Sequence, residues 1–165
     1  ASESNCLVLP TDGNHPGNDG CLHLFDKIDN IWFRFFLQMK ISTPAKPLLE
    51  AVSSMICHNI LEVMQDKNFE LYNVHMVLYI WNLRDHDFQL VAQGKEEVRA
   101  YVTVYLESMK NDAKIKNIPE DLEKTVQTFI TDYYDSHLHV VDNSTMNSWL
   151  SPSLVPFPLL FTELE

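Results

Sequence analysis

Asp132, Asp135, His137, His139 and Asp142 make the densest collection of metal-ligating side chains in the sequence. Imidazole and carboxylate together suit a borderline divalent cation, and on an extended strand His137 and His139 point the same way. His137, His139, Asp132 and Asp135 are therefore the candidate metal ligands. They make a small divalent-metal-dependent hydrolase, or a metal-binding protein, one function that the sequence allows. Neither an H-E-x-x-H helix nor a calcium-loop pattern supports them, so an acidic, polar helix exit accounts for the same residues.

Asp85-His86-Asp87 is the other local cluster. A histidine between carboxylates can be held protonated and act as an acid or base. Adjacent side chains diverge on helices and strands alike, and a solvated turn explains the run as well. Cys57-His58 offers a thiol beside an imidazole, but neighbours in sequence do not make a nucleophile–base pair. No G-x-S-x-G elbow, dinucleotide fingerprint or phosphate loop is present, and Gly13, Gly17 and Gly20 fit neither nucleotide-loop spacing. No catalytic residue is assigned, and no cofactor is implied.

The elements that must position these residues read mainly as helices. Phe69 to Leu83 is the most apolar run. It repeats Leu71, Val74, Val77, Leu78 and Trp81 at three- and four-residue intervals, with Tyr72, Met76, Tyr79, Ile80 and Leu83 widening the stripe. A helix that apolar is buried on most sides, so this stretch is expected to be the central helix. Leu24, Ile28, Ile31, Phe35 and Met39 predict a helix over 22–39, with Asp26 and Asp29 suiting its positive N-terminal end. Ser42-Thr43-Pro44 opens a second long helix that should stop near Gln65. Val98, Val102, Tyr105 and Met109 mark another. Pro119-Glu120-Asp121 begins a fifth, carrying Leu122, Val126, Phe129, Ile130 and Tyr133. After Asp135 the alternation of His137, His139 and Val141 fits a short strand or a helix tail.

The expected fold is all-α: a compact bundle or orthogonal packing of about five helices. Residues 1–20 read as an irregular leader in which Cys6 to Leu9 can form an edge strand. Residues 21–150 are the helical domain. Residues 151–165, with Pro152, Pro156 and Pro158, are an extended C-terminal strap. Four glycines in 165 residues disfavour a hairpin-rich fold. Cys6, Cys21 and Cys57 match no zinc spacing, a Cys6–Cys21 bridge is the one short loop they allow, and an odd count favours a reducing compartment.

The net charge of −11 is carried at the ends: residues 1–26 and 132–165 hold acids and neither Lys nor Arg. Lys110, Lys114 and Lys116 are too few for a nucleic-acid footprint. A protein partner with a basic surface is the better electrostatic match. No run is apolar enough for a membrane span, and Ala1 to Gly20 has no signal core, so a cytoplasmic or otherwise intracellular location is expected. The Ala-Ser start and Leu-Glu end suggest an excised fragment.

The preferred function is a non-catalytic protein-interaction or assembly module, such as part of a scaffold, regulatory subunit or viral protein. It would offer an acidic, aromatic-rich surface. Phe25, Phe33, Tyr72 and Tyr79 are the contact residues, because they broaden the apolar stripes beyond a minimal core. Phe157, Leu160 and Phe161 join them in the strap, through which the chain would self-associate in a structural, self-assembling reading. In that reading, deleting residues 152–165 lowers the oligomer seen by native mass spectrometry without unfolding the domain.

Overall fold

The computed structural model describes residues 6–10, 17–40, 45–66 and 68–149, with backbone alone for 6–10, 45–47 and 149. The expected central helix is a strand. Val74–Ile80 (β4) lies between two parallel neighbours, Ile31–Lys40 (β3) and Leu138–Val141 (β5). Gly20–Asp26 (β2) and Cys6–Pro10 (β1) continue the sheet antiparallel from β3, so the described strands run β1-β2-β3-β4-β5. The protein is mixed α/β, not all-α, and residues 21–150 are not a helical domain.

Two helix expectations fail for identifiable reasons. An interior strand of a parallel pairing, buried over most of its length, reads as a nearly continuous apolar run, which three- and four-residue spacing cannot tell from a buried helix. Valine, tyrosine and isoleucine then decide for the strand. Over 22–39, Asp26 and Asp29 belong to a hairpin turn, not to a helix N-terminus. The Asp26 Oδ1 accepts from the Ile28 N–H at 2.9 Å, and Asn30 takes a left-handed φ of 57° that closes the loop into β3.

The remaining helices lie close to where the spacing puts them: Ala45–Met64 (α1), Lys95–Lys110 (α3) and Leu122–His137 (α4). Asp85–Gln93 (α2) and Asn143–Trp149 (α5) are additional. Helix α1 returns the chain from β3 to β4, and α2, α3 and α4 return it from β4 to β5. A parallel pair needs such long crossovers. Val74, Met76, Leu78 and Ile80 form one core with Phe36, Leu138 and the buried faces of α1, α3 and α4. On the other face of the sheet lie Phe33, Phe35, His75, Tyr79 and His139. Val77 and Val141 lie there too, buried but outside that core.

Part of the expected leader is pinned. Asn18 is buried and its Nδ2 donates to Asn59 Oδ1 at 2.9 Å, while Asn59 Nδ2 donates to the Gly17 carbonyl at 2.9 Å. A Cβ on Gly17 would stand 2.6 Å from Asn59 Oδ1, so only glycine lets the backbone approach α1 this closely. Cys6–Pro10 is the edge strand that Cys6 to Leu9 suggested. In that register Cys6 faces Leu24 and Leu9 faces Cys21, which gives a Cys6–Cys21 bridge no direct pairing. The strap, 151–165, lies outside the described residues.

Met76→Ala removes a fully buried side chain from the central strand and should lower the unfolding free energy by about 2–5 kcal/mol in urea titration. Val104→Ala, on the exposed side of α3, should change it by about 0.5 kcal/mol or less. Gly17→Ala should cost about 1–3 kcal/mol through the clash with Asn59.

Candidate functional site

The hairpin between β2 and β3 brings aromatic side chains to one end of the sheet. Phe25 and Trp32 are register partners whose rings lie 5.0 Å apart. Phe33, next along β3, points to the other face, where its ring lies 6.2 Å from Tyr72. Tyr72 sits in a short 3-10 turn, Leu71–Asn73, leading into β4. Trp32 is 52% exposed and Tyr72 54%, although both are large enough to gain from burial. Ile28, at the hairpin tip, is 92% exposed. Three of the expected contact residues, Phe25, Phe33 and Tyr72, thus share one end of the sheet. Tyr79 does not: it lies near the opposite end of β4, beside Met39 in register. Phe157, Leu160 and Phe161 lie outside the described residues.

A cavity of about 440 Å³ opens at the same end, between the start of β3, the end of α1 and the loop into β4. Trp32 and Phe69 give it aromatic walls, and Arg34, Asp66, Glu70 and Asn73 give it polar ones. Arg34 is ion-paired with Asp66, whose other carboxylate oxygen accepts from the Asn68 N–H at 3.0 Å. The side-chain oxygen of Asn73 is buried without a hydrogen-bond partner, a situation that costs about 1–3 kcal/mol. No spacing or motif in the sequence signals this cavity. Asn68 to Asn73 resembled the start of a helix, and only the parallel register of β3 and β4 aligns Arg34 with Val74.

Three imidazoles support the aromatic end from the second face of the sheet. His75 comes from β4, His137 from the last residue of α4 and His139 from β5. The His75 ring is sandwiched between Phe35 at 4.6 Å and His137 at 4.1 Å, both within 15° of parallel. His75 Nδ1 meets His139 Nε2 at 3.1 Å. The Tyr72 carbonyl can only accept, so His137 Nε2 carries a proton and donates to it at 2.9 Å. In the neutral ring, His137 Nδ1 then accepts from the Ser136 hydroxyl at 2.7 Å. Burial pushes the His75 pKa down to about 4, and the neighbouring His137 and His139 push the same way. Burial, then His137, lowers that of His139.

Asp132 and Asp135 do not join this cluster. Both are exposed on α4, and the Asp135 carboxylate stands 3.8 Å from the Lys95 ammonium. His137 and His139 are brought together with His75, a residue inside the stretch that the sequence reads as the central helix. Among the described residues no group of three or more His, Cys, Asp or Glu side chains is arranged to hold a metal ion. Asp85-His86-Asp87 opens α2 rather than a loop. Asp87 is 2% exposed, accepts from Arg84 Nε at 2.9 Å and from Arg84 Nη2 at 3.1 Å, and holds the helix start. Cys57 is buried, with its thiol pushed up to about 12, and burial raises Cys21 to about 11. Neither supplies a thiolate near neutral pH. His58 donates to or accepts from the Tyr105 hydroxyl at 2.6 Å, away from the stack.

No protein-family model matches the chain, and no curated protein or solved structure matches it. Among the described residues no helix is long and apolar enough to cross a membrane.

The stack gives stability a definite pH dependence. A histidine whose folded pKa is depressed binds its proton more readily in the unfolded chain. Its stabilisation is therefore complete above pH 6.5 and is lost as pH falls toward 4. After allowance for solvent screening of a half-buried ring, His75 should account for about 1–2 kcal/mol of that loss. Arg84 holds the Asp87 carboxyl below the usual carboxylate range, so its contribution is lost only under more acid conditions. Urea titrations at intervals between pH 7 and 4 should show the slope, and His75→Phe should flatten it.

Proposed function

We propose that the chain is a non-catalytic protein-interaction module whose contact surface is the aromatic end of the sheet. The observation that carries this reading is the exposure of Trp32 and Tyr72 at one end of the sheet, each backed by a second ring, with an open cavity beside Trp32. Half-exposed aromatics on a rigid support are typical of binding anchors, because little conformational freedom is lost when a partner covers them. Phe25 supports Trp32. Phe33 and the imidazole stack support Tyr72. Neither ring depends on the partner for its position.

The chemistry of the surroundings favours binding over catalysis. The two described thiols are buried with raised pKa values, and the imidazoles are engaged with one another, with Ser136 and with a backbone carbonyl. A partner with basic groups suits the cavity carboxylates and a chain of net charge −11.

A photo-crosslinking amino acid at position 72 tests the reading, with position 104 on α3 as the distant control. A discrete crosslinked protein should appear from position 72 alone, and Trp32→Ala should weaken its capture by about 30-fold, the effect of losing one aromatic anchor. Equal crosslinking from both positions, or indifference to Trp32→Ala at unchanged melting temperature, would remove this surface from consideration.

A further inference from the structure

The described lining of the cavity beside Trp32 carries two carboxylates, Asp66 and Glu70, against one cation, and that imbalance identifies what it takes. Arg34 is the one cation among its described lining residues, and Asp66 already neutralises it. Both Asp66 oxygens are engaged, by Arg34 and by the Asn68 amide. Glu70 is exposed, and among the described residues its carboxylate has no ion-pair or hydrogen-bond partner. The buried Asn73 side-chain oxygen also lacks a donor. Helix α1 ends at this wall, through Val63 and Asp66, and the C-terminal end of a helix carries partial negative charge. The remaining walls are the rings of Trp32 and Phe69, which attract a cation through their faces and cover an aliphatic stem.

We infer that this cavity is the receptacle for a lysine side chain presented by the protein partner. The inference rests on the interaction reading above and names the chemistry of the partner at that surface. A lysine ammonium has three donors that can turn toward acceptors in different directions, where a planar guanidinium fixes its fork. It meets the free Glu70 carboxylate and supplies the donor that Asn73 lacks. Its four-carbon stem lies against Trp32 and Phe69. Charge complementarity selects the occupant: an acidic residue would face Glu70 and the helix end, an apolar side chain would leave both acceptors unmatched, and a neutral donor would leave the Glu70 charge uncompensated.

The test uses the whole chain and a small probe, with no partner present. Nα-acetyl-lysine N-methylamide is titrated against the protein while the Trp32 indole resonance is followed by NMR, with the norleucine analogue as the uncharged control. The lysine probe should bind saturably and at least about tenfold more tightly than norleucine, the value of one charge-assisted hydrogen bond. Glu70→Gln should abolish that preference, while Glu120→Gln, distant from the cavity, should leave it intact. Equal binding of the two probes, no shift at Trp32, or a preference that survives Glu70→Gln overturns the inference, whatever is crosslinked at position 72. Conversely, loss of crosslinking with the lysine preference intact overturns only the wider interaction reading.

Discussion

Strand β4 is the constraint on which the rest of the molecule depends. It is hydrogen-bonded along both edges to parallel strands, and four of its seven residues, Val74, Met76, Leu78 and Ile80, are packed into the helical core. Two parallel pairings cannot be closed by tight turns. Helix α1 and the three-helix excursion through α2, α3 and α4 follow from that geometry. The apolar faces of those helices are then used in one place, on the β4 residues between them.

The same strand assigns the other face its chemistry. Side chains alternate across a strand, so fixing Val74 and Met76 toward the helices sends His75 to the opposite side, against Phe35 of β3. The parallel register with β5 brings His139 alongside, and the end of α4 delivers His137 just before the chain enters β5. Three imidazoles become a stack because three separate elements converge there. Partial burial and the neighbouring imidazoles hold His75 uncharged near neutral pH, and the stack is linked by a hydrogen bond to the backbone that carries Tyr72. The support of an exposed aromatic ring and a sensitivity to acid are therefore properties of one cluster.

Polar groups in this protein are mostly satisfied by specific, geometrically committed partners. Asn18, Asn59 and Gly17 fasten the segment before β2 to α1, Arg84 covers Asp87 at the start of α2, and the Tyr134 hydroxyl donates to the Val91 carbonyl at 2.6 Å. Against that background, among the described residues, the buried side-chain oxygens of Gln38 and Asn73 lack partners, and Asn73 lies with the Glu70 carboxylate at the cavity beside Trp32.

The sequence by itself determined α1, α3 and α4, because an amphipathic stripe over four or more turns has few alternatives and Pro44 and Pro119 mark two of the starts. It also grouped Phe25, Phe33, Tyr72 and Tyr79 as rings beyond the needs of a minimal core, of which Tyr79 lies apart from the rest, and it drew attention to His137 and His139 by their spacing. It did not determine the strands. Phe69 to Leu83 is apolar on every side, and a pattern without a polar face has no period to read. Leu22 to Met39 carries enough aromatic and aliphatic residues to satisfy a helical spacing while a turn at Asp26 divides it in two. Only the tertiary structure decided that His75 meets His137 and His139, that Asp132 and Asp135 face away, and that Trp32 and Asn73 border one cavity. Those juxtapositions come from strand register and crossover connections between residues 41 to 64 positions apart, and local spacing carries no information about them.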